Sequence, residues 1–309
     1  MQDGGDPLMR FLWGMVLGVI LTPFSVWGVE EYTVISDLGT SAQMIGLGRF
    51  GGFSDTADVI FENPAGLARI KSMGVGFFSS QVIDATYRGV SVAMRTGAGV
   101  VGLGYYGSSI SGLIYTGQYS SGQGPGPEFS VSESVFRAGL QSNISPEVSA
   151  GVAAVVVSKD LGSDSVVAGN LEAGIFQDLD RFSYSIVVRN ILPMEAVYRS
   201  GATEKQSFQV IPSLWVPLDP FTLVGQMRWI YGVQPTTLNS LGIKWAIISD
   251  CFSVVAGGAE MMTTTGKKTS RMSVGTVLSM SSVTLQYSYE KGDYEDDGNH
   301  HYFSIGVGL

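Results

Sequence analysis

From residue 73 onward, apolar side chains alternate with small or polar ones, the period of two that belongs to strands with different surroundings on their two faces. Fourteen runs carry this pattern: 73–80, 87–96, 98–107, 134–142, 147–158, 165–177, 181–191, 206–216, 221–231, 238–248, 251–260, 270–279, 282–290 and 301–309. In the last run Phe303, Ile305, Val307 and Leu309 oppose Tyr302, Ser304, Gly306 and Gly308. Leu241, Ile243, Trp245 and Ile247 oppose Gly242, Lys244 and Ala246 in the same way, and Phe221, Leu223, Met227 and Trp229 oppose Thr222, Gln226 and Arg228. One face suits lipid and the other a lumen, so the pattern predicts an all-β chain forming a transmembrane antiparallel barrel of about 14 strands.

The connections alternate in length. Those at 96–98, 143–146, 178–180, 217–220, 249–250 and 280–281 are short, and longer ones fall near 81–86, 108–133, 159–164, 192–205, 232–237, 261–269 and 291–300. Bacterial outer-membrane barrels have short periplasmic turns and longer external loops, which assigns the short set and both chain ends to the periplasm. Segment 108–133, rich in Gly, Ser and Tyr, reads as a mobile external loop, with a flap over the lumen as the alternative.

Two segments precede the strands. Arg10 and the apolar run from Phe11 to Leu21 read as a secretory signal peptide over 1–28, starting at Met1 or Met9; the run is shorter than the roughly 20 residues a spanning helix needs. Residues 29–72 form the second unit and 73–309 the barrel. Within 29–72, Ser41–Ile70 is dense in small residues: Gly46, Gly48, Gly51 and Gly52 permit close backbone approach, and Asn63-Pro64-Ala65-Gly66 reads as a turn before a short helical stub. This stretch predicts a plug at the barrel mouth, with residues 29–37 at the periplasmic end.

Composition narrows the class. The 309 residues carry a net charge of -9, only 15% are charged, and mean hydropathy is positive, a mixture that fits a membrane barrel better than a soluble domain. The acidic balance argues against a nucleic-acid partner. The single Cys251 excludes an intramolecular disulfide and reads as a buried or lipid-facing residue.

Candidate chemistry is sparse. LGRFGG lacks the Gly-Lys-Ser/Thr ending and preceding strand of a phosphate loop. The acidic run Asp293–Asn299 reads as a solvated loop, and His300 and His301 as interfacial residues. No nucleophilic triad stands out, so no enzyme activity, cofactor or metal is expected. The charges within strands are more informative. Arg95, Arg137, Glu172, Arg189, Arg228, Lys244 and Glu290 should face the lumen, because a charge on the lipid face at the midplane costs about 2–4 kcal/mol. They form either an ion-pair network filling the barrel or a polar path for a ligand. In the plug, Phe50, Phe53, Ile60, Phe61 and Leu67 are candidate apolar lining, with Arg49 or Arg69 as counter-charge; the same apolar residues would also serve to pack the plug.

The LGRFGGF run, an aspartate at Asp55 or Asp58, the FENPAGLA segment and the closing HHYFSIGVGL resemble the FadL and PorV group of outer-membrane barrels over nearly the whole mature chain. The resemblance implies a fourteen-stranded barrel closed by an N-terminal hatch whose Asn-Pro-Ala motif is Asn63, Pro64 and Ala65 here, with hydrophobic substrates leaving sideways beside the hatch. It implies outer-membrane uptake of molecules such as long-chain fatty acids, with membrane lipid, a hydrophobic ligand and the barrel-assembly machinery as partners. For PorV-like members it implies partnership in secretion of exported proteins. The chain is shorter than typical fatty-acid transporters and ends in Leu309 where an aromatic residue is usual. A structural barrel without transport is the third reading.

Overall fold

The computed structural model describes residues 30–31, 38–82, 84–114, 128–192, 194–232, 235–262, 268–291 and 299–309. The signal peptide at 1–28, the loop tip at 115–127 and the acidic residues 293–298 lie outside the described residues.

Fourteen strands make the wall: β1 Met73–Val82, β2 Ala85–Thr96, β3 Gly99–Ile114, β4 Glu128–Asn143, β5 Val148–Asp160, β6 Ser165–Asp178, β7 Ser183–Arg189, β8 Phe208–Leu218, β9 Phe221–Tyr231, β10 Thr236–Ile248, β11 Phe252–Met262, β12 Lys268–Met280, β13 Val283–Lys291 and β14 Asn299–Gly308. Each pairs antiparallel with the next and β14 pairs with β1, so the sheet closes on itself and leaves no edge in the hydrocarbon. Outward positions are the predicted ones: Leu241, Trp245, Phe303 and Ile305 are exposed, and Ser304 and Ser288 on the opposite parity are buried. Aromatic pairs lie on the outward face: Phe221 and Trp245 are 5.9 Å apart near the short turns, and Tyr287 and Phe303 are 5.1 Å apart at the middle of β13. Cys251 sits in the turn between β10 and β11, half-buried, with a free thiol.

Two connections differ from expectation. The β3–β4 ladder continues through Ser108↔Glu133 and Ser109↔Ser132 and past a bulge between Ile110 and Leu113, so much of 108–133 is sheet. Apolar alternation marks only the part of a strand that faces lipid; backbone pairing continues above it with polar side chains. The connection after β7 also carries structure. The chain turns at Asn190, which has a φ of 56°, and residues 194–207 carry two short strands, Ala196–Val197 and Thr203–Lys205. Ala196 and Tyr198 pack on the inward residues Val166 and Ala168, and Lys159 and the Tyr198 hydroxyl hold Glu204 at 3.3 and 2.9 Å.

Glu30–Glu31 pairs in parallel with Glu204–Lys205. These residues therefore lie at the end of the barrel carrying the long connections, and not at the periplasmic mouth where the sequence reading put residues 29–37. The free edge of the inward hairpin needs hydrogen-bond partners, and the N-terminal arm supplies them.

Residues 38–72 fill the lumen below this hairpin, and the wall makes room with small side chains at inward positions. A Cβ at Gly104 would overlap the Phe61 ring, one at Gly151 the backbone of Pro64, one at Gly174 the Asn63 side chain and one at Gly306 that of Thr56. Replacing Gly104 with Val should therefore unseat the plug at a cost of about 1–3 kcal/mol. The measurable outcome is a lower melting temperature in a heat-modifiable gel-mobility assay, while Leu103→Val on the lipid face of the same strand leaves it unchanged.

Candidate functional site

The plug consists of one helical turn, α1 Ala42–Gly46, and two 3₁₀ turns, Ala57–Phe61 and Pro64–Arg69, joined by irregular chain. Such short pieces leave most backbone groups without internal partners, and inside a barrel the wall must supply them. Ala42 N–H donates to Ser304 Oγ at 2.8 Å, the Ser288 hydroxyl donates to Ala42 O at 2.6 Å, and the Ser273 hydroxyl donates to Ile45 O. Gly51 N–H donates to Gln226 Oε1 at 3.2 Å. Asn63 opens the second 3₁₀ turn: its Oδ1 accepts from Ala65 N–H at 2.9 Å, and its Nδ2 donates to Ile175 O of β6 at 3.4 Å. Pro64 supplies the fixed φ of a first helical position, and Gly66 lets the turn pack against Val59 and the Gly52 carbonyl.

The strand charges are tied to this plug. Arg137 donates to Phe61 O and to Glu172, both at 2.7 Å, and Arg189 donates to Phe61 O at 2.8 Å and Glu62 O at 3.1 Å. The three side chains are buried and form one network, with Arg189 3.9 Å from Glu172. Arg95 stands at the rim carrying the short turns and donates to the carbonyls of Ala68, Ile70 and Lys71 at the end of the last turn. Lys244 shares the inward parity near the same rim, within electrostatic range of Asp55 and Asp250. Arg228 lines a lumenal cavity on the opposite side of the plug. Of the two alternatives drawn from the sequence, Arg95, Arg137, Glu172 and Arg189 take the structural one: they serve as donors to plug carbonyls and as ion pairs.

The candidate ligand-binding residues are packed. Arg49, in the left-handed region at φ 59°, places Nη2 at 2.9 and 3.0 Å from the two oxygens of Glu290, which also meets Arg271 at 3.1 Å. Phe50 and Phe53 stack at 5.1 Å and join Trp215 and Phe176 of the wall in one aromatic cluster. Phe61 lies under Arg137 and beside Tyr106, and Leu67 packs against Gly102. Arg69 pairs with Asp55 at 2.6 Å at the end of the barrel that carries the short turns. His301 is exposed on the outer face, 2.8 Å from the Tyr287 hydroxyl, whereas His300 points inward, fully buried, 3.8 Å from Glu290. The parity of β14 decides this: adjacent residues of a strand face opposite sides, so two neighbouring histidines cannot share one environment.

Among the described residues, three spaces lie in or beside the plug and its wall. A void of about 10 Å³ lies between Phe50, Phe53, Trp215 and Glu62. A lumenal cavity of about 70 Å³ is bordered by Arg49, Gln209, Gln226, Arg228 and Ile230. The third, of about 440 Å³, is a concavity in the outer wall lined by Val90, Leu103, Tyr105, Phe136 and Val156. Behind its floor the plug residues Ile60 and Phe61 seat on Gly139 and Gly104. The strand pairing is unbroken there, from Ala85↔Ile110 to Thr96↔Gly99 and from Val100↔Gln141 to Ile110↔Val131.

No protein-family model matches the sequence, and no curated protein matches it either. Solved structures do match. The CymD monoaromatic hydrocarbon channel superposes with a TM-score of 0.68 at 11% identity, covering 90% of this chain and 99% of that one. A Pseudomonas aeruginosa FadL homologue gives 0.58 at 11% identity over 86% and 97% of the two chains, and the Pseudomonas putida toluene transporter TodX gives 0.56 at 11% over 92% and 98%. The protein has the FadL-type fold, a closed 14-stranded barrel. At this identity the likeness is one of fold.

Two plug carboxylates are held away from their ordinary ionisation. Burial pushes Asp58 up to about 6, against hydrogen bonds from Ser91 at 2.7 Å and Thr56 at 3.3 Å. Burial likewise raises Glu62 to about 7; Asp58 adds to the rise, and the Gly52 N–H at 2.7 Å, Arg189 and Ser41 oppose it. A carboxyl whose folded value is raised contributes fully below its unfolded value, and that contribution is lost as pH rises through the folded one. Plug docking should therefore weaken between about pH 4 and pH 7. Limited proteolysis of residues 38–72 in the detergent-solubilised barrel should show rising cleavage over that window, and Glu62→Gln should flatten the upper part of the rise.

Proposed function

We propose that this protein is an outer-membrane channel for hydrophobic molecules, with residues 38–72 as its gate. The observation that carries the reading is the relation between plug and wall at β2–β4. An apolar concavity of about 440 Å³ faces lipid, and only a glycine-lined layer of sheet separates it from Phe61 and Ile60. A molecule leaving sideways past the plug would have to open this closed ladder beside Arg137, and the apolar concavity outside it would then receive it. The structural neighbours support the reading, being described as a monoaromatic hydrocarbon channel and a toluene transporter. Substrates are small hydrophobic molecules, with long-chain fatty acids as one class among them, and no chemical step is assigned. Export through the signal peptide and insertion by the barrel-assembly machinery follow from the same reading.

One observation favours the second reading, a surface partner for secreted proteins: the lumen is packed by the plug and by the inward hairpin at 194–207, and a scaffold needs no open path.

A reversible lock separates the two. In the Cys251→Ser background, a Cβ at Gly74 on β1 lies 3.7 Å from the Ala57 Cβ of the plug, within disulfide geometry. The Ala57→Cys, Gly74→Cys protein, reconstituted in liposomes, should lose flux of a hydrophobic probe such as toluene when oxidised and recover it on reduction. Equal flux in both states means the plug is not the gate. No protein-dependent flux in either state or in the parent favours the scaffold.

A further inference from the structure

We propose that the outer wall at β1–β5 binds one membrane lipid with an anionic phosphate headgroup: the apolar concavity seats an acyl chain and Arg88 holds the phosphate. The inference goes beyond the channel reading and does not depend on it.

Register across the sheet places the parts. Two outward rows line the concavity: Val90, Tyr105, Phe136 and Val156 are partners across β2–β5, and so are Val92, Leu103, Ala138 and Ala154. The depth comes from the second row. Ala138 and Ala154 face each other between the larger exposed side chains of Phe136, Leu140, Val152 and Val156. The space of about 440 Å³ falls within the roughly 300–1,000 Å³ of small-molecule sites. On the lipid face of a membrane-spanning barrel the molecules that meet it are lipids, so its occupant is an acyl chain.

The next outward row, toward the strand ends that carry the long connections, is polar. Ser79, Arg88, Gly107, Ser134 and Ser158 are register partners on β1–β5. Gly107 leaves room for Tyr105: a Cβ there would stand 2.5 Å from the Tyr105 hydroxyl, which meets the Ser134 hydroxyl at 3.3 Å. Tyr105 thus leans from the apolar row into the polar one. Arg88 is exposed on the face of β2 that carries Val90 and Val92, roughly 7 Å along the strand from the first. Among the described residues no carboxylate pairs with it, its row on β1–β5 holds no acid, and Asp84 in the turn before β2 makes no ion pair with it.

This arrangement selects the lipid. A guanidinium presents a planar fork that fits two phosphate oxygens. The polar row is about 19 Å wide at the usual strand spacing, wider than a carboxylate and suited to a headgroup with hydroxyls of its own. A neutral lipid answers the concavity and leaves Arg88 without an anion.

The test is native mass spectrometry of the full-length protein in a neutral detergent with three probes sharing a palmitoyl chain: dipalmitoylphosphatidylglycerol, dipalmitoylglycerol and palmitate. Heat-modifiable gel mobility confirms that each variant is folded. The expected result is one phosphatidylglycerol held by wild type about tenfold more tightly than either other probe. Arg88→Gln should weaken it about tenfold, to the level of dipalmitoylglycerol, and Ala138→Phe, which fills the concavity, should weaken both lipids. Lys71→Gln removes an exposed charge at the end with the short turns and should change nothing. Dipalmitoylglycerol or palmitate binding as tightly as phosphatidylglycerol overturns the assignment. So does phosphatidylglycerol binding that either Arg88→Gln or Ala138→Phe leaves unchanged, which means a nonspecific lipid belt only, and so does an equal loss in Lys71→Gln, which means long-range charge. Toluene flux is a separate readout: the lipid assignment fails or holds on binding alone, and its failure leaves the channel reading standing.

Discussion

The structure depends on satisfying the backbone of an irregular segment enclosed in a barrel. Residues 38–72 make only one helical turn and two 3₁₀ turns, so their amides and carbonyls are left over, and neither lipid nor bulk water is available to take them. The wall answers with serine hydroxyls on β12, β13 and β14, a glutamine on β9 and arginines on β2, β4 and β7. Every one of these partners stands at an inward position of its strand. The lumenal face is thus shaped for this one occupant, and the lipid face is free to follow the membrane alone.

The same inward positions must also yield space. Glycine stands where the plug backbone or an aromatic ring comes close, as at Gly104 against Phe61 and Gly151 against Pro64. Serine or a longer polar residue stands where a plug group needs a partner. A wall built this way holds its plug through many side chain to backbone hydrogen bonds, each worth about 1 kcal/mol net, and through two apolar clusters that join plug and wall. The barrel ladder around these contacts is a closed set of backbone bonds.

Buried charge follows the same division of labour. Arg137, Glu172 and Arg189 are removed from water, and each is answered by an opposite charge or by a plug carbonyl. Taking away one member leaves its partners buried and uncompensated, at a cost well above that of a surface pair. Asp58 and Glu62 lie on the plug side of this network, under burial strong enough to favour their neutral forms. The plug thus carries the carboxyls that burial shifts upward, and the wall carries the charges paired around them.

Much of the fold is legible in the chain. The alternation marks all fourteen strands, β9 to the residue, because lipid outside and a lumen inside impose opposite demands on successive side chains. Asn63-Pro64-Ala65-Gly66 announces its turn, since capping and close packing there depend on local residue types. The inward glycines were also open to reading, as breaks on the small-residue face of each strand, but their meaning lies in what stands opposite them. Parity separates His300 from His301, yet the contact of His300 with Glu290 depends on two strands being neighbours. The packing of Ala196 and Tyr198 on Val166 and Ala168 and the pairing of Glu30–Glu31 with Glu204–Lys205 depend on which segments become neighbours once the barrel closes. What the sequence by itself determined is everything periodic or local, because those features answer to the solvent on each face. What only the tertiary structure decided is which residues meet inside the barrel, because closure of the sheet, and not spacing along the chain, brings them together.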